Sequence, residues 1–301
     1  MQVLKAVRRK TETMSSFFLQ CNDSDRAYAN VRDNPSCIGW RTFVEDLWER
    51  YKPYADRHFL RDAVSHFQER FWEMYLGVTL LEHEFTIERV SNTGPDFYIR
   101  DRSSGIWIEA VAPGSGEGPD AVPQPVFNSG KAQIVPNEEI ILRFRSAIAS
   151  KYQRFMEFIA SGPVEISDSF VIAINTKRIL NIIPETEVPT IVQSVLPFGA
   201  RQARIDPKRM EVVDVGYQYR GEIIKQSGNP VSTTIFQDSE YSNLSAVWCS
   251  SVDCANAPSK FGSEFILVHN PNANKRIDLG TFRFGKEYWV EGSELRNAEW
   301  E

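Results

Sequence analysis

The sequence contains no apolar run close to the roughly 20 residues that a membrane-spanning helix requires. Basic residues occur between positions 5 and 10, but no long apolar segment follows them, so no secretory signal is indicated. We therefore expect a cytoplasmic location and no membrane partner. Hydrophobic residues make up 42% of the 301 positions and charged residues 25%, which is typical of a globular protein with a large core.

Residues that commonly build zinc sites and disulfides are scarce. The chain has four cysteines and four histidines, and no two cysteines have the Cys-x-x-Cys spacing. Free thiols are therefore expected rather than a zinc site. The sequence also lacks a Gly-x-Ser-x-Gly elbow and a Walker-type phosphate loop, which argues against serine-hydrolase and P-loop chemistry.

Positive charge is not in excess, since the formal net charge is −6. A protein that coats nucleic acid over its whole surface is therefore not indicated, although a local basic groove remains compatible with this charge. Clusters of basic residues that could contribute to such a groove occur at 5–10, at Lys151 and Arg154, and at 201–209. Solvated surface charge is the alternative for each cluster.

Residues 94–113 have the composition of a β-hairpin, with two strand-like halves separated by a polar turn that ends in glycine. The segment carries two carboxylates, Asp96 and Glu109. Because side chains alternate along a strand, Glu109 shares its face with Trp107 and Val111 and should be partly buried. A buried carboxylate needs a cation or hydrogen bonds, and Asp96 at the start of the partner strand could face Glu109 across a cation.

Pro95-Asp96, twelve intervening residues, and then Glu109-Ala110-Val111 together resemble the Pro-Asp…(Asp/Glu)-x-Lys signature of the restriction-endonuclease-like, or PD-(D/E)xK, nuclease superfamily. The resemblance implies an α/β fold whose mixed central β-sheet is flanked by helices. It implies that Asp96, Glu109 and the Ala110 carbonyl bind Mg²⁺, or Mn²⁺ in its place. It further implies an endonuclease that hydrolyses phosphodiester bonds with metal-activated water, and DNA is the expected nucleic-acid partner.

In this superfamily an acid on the helix before the hairpin often completes the metal site. Residues 38–81 have helical character interrupted at Pro53, and the last helix is predicted to span about 60–81. Glu73 borders the apolar stripe of that helix and matches the position of the third acid, so the resemblance implies that it binds the metal directly or through water. Glu69, one turn earlier, competes for this role, and an exposed helical glutamate is the alternative for either residue.

Val111 occupies the position where the signature has lysine, which departs from the family pattern. In the family that lysine acts on the scissile phosphate or on the attacking water. A helix is predicted from 137 to 160, and its apolar spacing directs Lys151 toward the sheet. An inward lysine needs a partner, and the two hairpin carboxylates are available.

Some members of the superfamily carry the lysine on a neighbouring helix, so the resemblance implies a catalytic role for Lys151. A lysine that extends from the rim of the stripe into water is the alternative. Lys131, in the preceding loop, is a weaker candidate for the same role. The departure at Val111 also keeps open a catalytically inactive protein that binds nucleic acid or a protein partner.

The rest of the chain is predicted in outline as a single domain, 1–301. Residues 1–36 are interpreted as a loosely ordered arm, 37–175 as a helical segment plus the nuclease-like core, and 176–301 as a C-terminal extension. The Gly/Pro-rich segment 113–136 is interpreted as a lid or substrate-contacting loop. Further expected elements are strands at 85–90, 170–175, 244–250 and 265–270, and turns and a short helix within 183–206. Two strand-like runs within 211–236, on either side of 227–230, predict a hairpin.

The sequence is therefore compatible with three hypotheses. The protein is a metal-dependent nuclease, an inactive relative that binds nucleic acid or a protein partner without cleavage, or an unrelated α/β protein in which the motif is accidental. An active site requires the acids and Lys151 to converge on one cation. An accidental motif should lack the hairpin. Cleavage of both strands of a duplex would favour a homodimer or a second nuclease partner, although no residue indicates an interface.

Overall fold

A computed structural model describes residues 16–88, 94–101, 104–126, 130–162, 164–179 and 187–300. The helices of this part of the chain are α1 Arg26–Asp33, α2 Ile38–Tyr51, α3 Phe59–Ser65, α4 Phe67–Glu82, α5 Asn137–Ser161 and α6 Thr190–Val195. Its strands are β1 Ile87–Glu88, β2 Phe97–Asp101, β3 Ser104–Val111, β4 Ser169–Asn175, β5 Phe198–Asp206, β6 Glu211–Tyr219, β7 Glu222–Ile224, β8 Pro230–Ser232, β9 Ala246–Ser250, β10 Ile266–His269, β11 Gly285–Glu291 and β12 Glu294–Trp300.

Eight of these strands form one mixed sheet in the order β1-β2-β3-β4-β9-β10-β11-β12. The first three pair in antiparallel fashion, and β3, β4 and β9 run parallel to one another. The predicted α/β architecture with a mixed central sheet flanked by helices is therefore confirmed. The predicted hairpin is also present, with Phe97 opposite Ile108.

Helices cover both faces of the sheet, and β3 shows how its residues alternate between them. Ile106 and Ile108 belong to the hydrophobic core that contains α4, whereas Trp107 belongs to the core that contains α5. Glu109 has the same parity as Trp107 and so faces α5, as the alternation predicted. Every residue of β4 is buried, which confirms a central strand covered on both faces.

The N-terminal region differs from the expected loose arm over residues 16–36. Phe17 and Phe18 are buried and pack against Phe67 at the start of α4. The α1 helix follows, and the Asp25 side chain caps it by accepting hydrogen bonds from the Ala27 and Tyr28 amides. Aromatic packing thus orders a segment whose local periodicity is weak. Residues 1–15 of the predicted arm lie outside the described residues.

The single helix expected over 60–81 is instead two helices, α3 and α4, which meet at His66. The backbone of His66 leaves the helical region with φ −134° and ψ 54°. Ser65 and His66 are weak helix formers, but neither residue marks a break as proline does. The interruption at Pro53 is confirmed, because α2 ends at Tyr51.

Other boundaries agree more closely. The α5 helix extends one residue beyond the predicted 137–160, and β9, β10 and the β7–β8 hairpin lie within predicted segments. The strand predicted at 85–90 is limited to β1 among the described residues, and 89–93 lie outside them. No helix or strand is assigned in the described parts of 113–136. None of the described helices combines the length and apolar character needed to span a membrane.

Strands were missed in the C-terminal region. The segment expected to hold only turns and a short helix contains α6 and also β5, which pairs with β6 in a separate two-stranded ribbon. Most residues of this ribbon are exposed, so β5 has no apolar alternation from which to predict a strand. The β11 and β12 strands, which complete the large sheet, were also not predicted. Residues 180–186 lie outside the described part of the chain.

Candidate active site

An open pocket of about 920 Å³ lies where β3 ends and β2 begins, between α4 and α5. The lining includes the four side chains predicted as site residues, namely Glu73, Asp96, Glu109 and Lys151. Glu109 comes from β3, Asp96 precedes β2, Glu73 comes from α4 and Lys151 from α5. The fold thus brings residues that are up to 78 positions apart in sequence to one cavity.

Lys151 and Glu109 form an ion pair across the helix–sheet interface. Phe144, Ile148 and Phe155 anchor α5 on the sheet, which places Lys151 on the same side of the helix. Its Nζ donates a hydrogen bond to Glu109 Oε1 at 2.5 Å. The Glu109 side chain is 6% exposed and the Lys151 side chain 22% exposed. The partner predicted for an inward lysine is therefore confirmed, while its catalytic role stays a prediction.

Asp96 is held against the same strand by a backbone contact. The Ala110 amide donates a hydrogen bond to Asp96 Oδ2 at 2.7 Å. The Asp96 side chain reaches solvent in the pocket, yet protein atoms surround it on its other sides. This partial burial, together with the negative charges of Glu109 and Glu73, raises the pKa of Asp96 well above its usual value.

These groups fit a hard divalent cation. Two like-charged carboxylates facing one pocket repel each other, and a cation between them would relieve that repulsion. Carboxylate and carbonyl oxygens are ligands that Mg²⁺ and Mn²⁺ prefer, and Ala110 also lines the pocket. Among the described residues no three His, Cys, Asp or Glu side chains form a metal-binding group, so water would have to supply the remaining ligands of a site built on Asp96 and Glu109.

Glu73 lines the same pocket, but its oxygens bind protein groups. Tyr51 donates its hydroxyl to Oε1 at 2.8 Å, and Arg70 donates to Oε2 at 2.5 Å. Burial raises the pKa of the Glu73 carboxyl, and the Arg70 charge opposes that shift. Arg70 also bonds to Asp62 at 3.1 Å, which fixes its position. Because both Glu73 oxygens bind protein groups, Glu73 is not positioned as a third direct ligand of a cation held by Asp96 and Glu109.

Sequence reasoning missed Tyr51 and Arg70, although one signal was present. Arg70 precedes Glu73 by three residues, a spacing at which helical side chains meet. The competitor Glu69 also lines the pocket and pairs with Arg178. Lys131 is exposed and is not among the described residues that line the pocket.

Two further cations line the pocket: Arg143 was not singled out from the sequence, and Arg154 was considered only as part of a basic cluster with Lys151. They lie on α5 with Ala147 and Ser150, at spacings of three and four residues that put all four on one side of the helix. All four line the pocket. The spacing of these residues was present in the sequence. The packing of α5 on the sheet is needed to show that this side of the helix faces a cavity.

Comparison with known proteins gives no match: no protein-family model matches the chain, and no curated protein or solved structure is significantly similar to it. The resemblance to nucleases therefore depends on the short motif between Pro95 and Val111.

The raised pKa of Asp96 predicts a pH-dependent stability in the absence of metal. Below pH ~3.9 the carboxyl is protonated in both the folded and the unfolded chain, and no penalty exists. Above that pH the unfolded chain ionises first, so the free energy of unfolding falls until the higher folded-state pKa is passed. Urea unfolding in EDTA from pH 4 to 8 should show this fall, and Asp96→Asn should reduce it. An identical pH profile for both proteins would contradict the assignment.

Proposed function

We propose that this protein is a metal-dependent nuclease that hydrolyses phosphodiester bonds, with DNA as its substrate. The observation that carries the proposal is the convergence of Asp96 and Glu109 from one hairpin with Lys151 from α5 in a single open pocket. Two carboxylates that can hold a cation, beside an ammonium group that can contact an anion, suit hydrolysis of a phosphodiester.

The order of elements around the pocket supports a restriction-endonuclease-like core. The α4 helix is followed by β1 and then by the β2–β3 hairpin, as in the superfamily that the motif resembles. The hairpin presents the Pro-Asp aspartate and the later glutamate at adjacent positions of neighbouring strands. An accidental motif would not require this hairpin or this arrangement.

In the proposed mechanism the protein orients the acids and supplies positive charge. The Ala110 amide orients Asp96, and Lys151 neutralises Glu109 until a cation takes its place at that carboxylate. Mg²⁺, when bound, lowers the pKa of a coordinated water and neutralises charge that develops on the phosphate. The Lys151 ammonium can donate to a phosphate oxygen or hold the attacking water, in place of the lysine absent at Val111. Glu73 accepts hydrogen bonds from Tyr51 and Arg70, and the opposite charges of Glu73 and Arg70 both lie in the pocket wall.

A specific observation also favours the alternative of an inactive binding protein. Val111 is apolar, and the Lys151 ammonium that could replace the missing lysine is bonded to Glu109. If this ion pair persists when nucleic acid binds, neither partner is available for catalysis. The pocket would then bind nucleic acid, or a protein partner, without cleaving it.

Cleavage assays separate the two functions. Purified protein is incubated with supercoiled plasmid, single-stranded DNA or RNA, in Mg²⁺, Mn²⁺ or EDTA. We expect metal-dependent cleavage of DNA and none in EDTA. Linear plasmid formed without a nicked intermediate would indicate a homodimer that cuts both strands. Binding of oligonucleotides without cleavage in either metal would contradict the nuclease and support the inactive alternative.

A further inference from the structure

Beyond the two carboxylates and Lys151, the pocket contains a pair of arginines. Arg143 comes from α5, and Arg178 lies three residues after the end of β4. Arg143 Nε donates a hydrogen bond to the Gly114 carbonyl at 2.6 Å, and Arg178 Nη1 donates to the Ala112 carbonyl at 3.0 Å. Both guanidinium groups are therefore oriented by the backbone segment that follows β3.

The two arginines carry more positive charge than their neighbours neutralise. Glu69 pairs with Arg178, whereas none of the described carboxylates lies within ion-pair distance of Arg143. Burial, and then the charge of Arg178, lower the pKa of Arg143. One carboxylate thus faces two guanidinium groups, and the pair has a net positive charge.

Gly114 lies between these groups. A Cβ atom at this position would lie 3.7 Å from Arg178 Nη2, and the Gly114 carbonyl already accepts a hydrogen bond from Arg143. Gly114 therefore lies beside both guanidinium groups, both arginines line the pocket, and the Arg178 side chain is 43% exposed. A guanidinium group is planar and can bind two phosphate oxygens with paired hydrogen bonds. Arg143 and Arg178 are therefore suited to bind a phosphate group.

We propose that Arg143 and Arg178 form a subsite for a backbone phosphate of the bound nucleic-acid strand, separate from the phosphate that is cleaved. Ala112 is three residues beyond Glu109, which corresponds to about 10 Å along an extended chain. A strand whose scissile phosphate lies at Asp96 and Glu109 would then run along the segment from 112 to 114. The assignment of the phosphate to a nucleic acid rests on the proposed function, whereas the subsite itself does not require cleavage.

Binding measured without cleavage tests the subsite. Fluorescence anisotropy with labelled single-stranded and duplex DNA is recorded in EDTA over a range of salt concentrations. Removing one arginine–phosphate interaction should reduce the slope of log K against log salt by about 0.7 for single strands and about 0.9 for duplex. We expect Arg143→Gln and Arg178→Gln each to show that reduction and to bind several-fold more weakly at low salt.

Arg283→Gln is the matched control, because Arg283 is also exposed enough to bind an anion and its Nε also donates to a glycine carbonyl, that of Gly280. Arg283 does not line the pocket among the described residues, and its variant should retain the wild-type slope. Thermal unfolding of all three variants checks that each is folded. Because the Arg178 side chain is 43% exposed, its replacement removes little packing, and the variant should keep the wild-type melting temperature.

The outcomes separate this proposal from the nuclease itself. Reduced slopes for both pocket variants would support the subsite even if the wild-type protein cleaves nothing. Wild-type slopes for both variants would overturn the subsite even if the protein is an active nuclease, and so would a wild-type protein that binds no oligonucleotide. Inorganic phosphate that binds at Arg143 and Arg178, without any effect of the variants on DNA, would indicate a site for a free anion and overturn the assignment.

Discussion

Glu109→Gln should reduce metal-dependent cleavage by more than about 100-fold, because loss of groups that only support a metal ligand already costs about 10–100-fold. Glu109 is buried in the pocket, and its direct removal from a cation site should cost more. Glutamine retains an oxygen that can accept the hydrogen bond from Lys151, so the variant should fold. Initial rates on plasmid and oligonucleotide substrates give the activity, and circular dichroism gives the fold.

Glu88→Gln provides the matched control for this loss. Glu88 lies on β1, lines the same pocket and pairs with Arg100 at 2.5 Å, but its side chain is 42% exposed. The substitution changes the pocket charge by the same amount as Glu109→Gln. Surface substitutions usually change free energies by no more than about 0.5 kcal/mol, so we expect the cleavage rate to change by no more than about 2-fold. Equal activity of Glu109→Gln and the wild-type protein would remove Glu109 from the site.

Lys151→Met should reduce cleavage by about 100- to 1,000-fold, the range observed when a group that stabilises transition-state charge is removed. Methionine keeps the apolar stem of the side chain but removes the ammonium. Metal affinity should not fall, because Lys151 and the cation compete for the same carboxylate of Glu109. A loss of activity without a loss of metal binding distinguishes a group that acts on the substrate from one that only holds a metal ligand.

The same variant has a stability consequence. Without Lys151 the buried Glu109 carboxylate lacks its ion-pair partner, which should cost about 3 kcal/mol in EDTA, and Mg²⁺ should restore part of this loss. Lys177→Met is the control, because Lys177 pairs with Asp253 at 2.9 Å outside the described pocket lining. Cleavage by Lys151→Met at the wild-type rate would mean that Lys151 has only a structural role.

The parts of the site that could be predicted from sequence are those fixed by local periodicity. Alternation along β3 places Glu109 on one face, and helical spacing places Lys151 on the side of α5 that meets that face. Both patterns act over a few residues, and the strongly apolar neighbours of each residue leave little choice of orientation. The ion pair follows once a single crossover joins β3 to β4 through α5.

The parts that could not be predicted depend on contacts between distant segments. Glu73 is bound by Tyr51, which belongs to a different helix, so its periodicity could not show that its oxygens are already occupied. The burial of Phe17 requires α4 as a partner, and local composition alone favoured a loose arm. The arginine pair at Gly114 depends on where the segment after β3 passes between α5 and the end of β4.

Asp96 and Glu109 should together bind one divalent cation beside Lys151. Anomalous diffraction from crystals soaked in Mn²⁺ tests it most directly, because the signal locates the ion without reference to activity. We expect one peak at about 2.1 Å from a carboxylate oxygen of each residue, and no such peak in Glu109→Gln crystals. A peak bound elsewhere, or no peak in this pocket at saturating Mn²⁺, would contradict it.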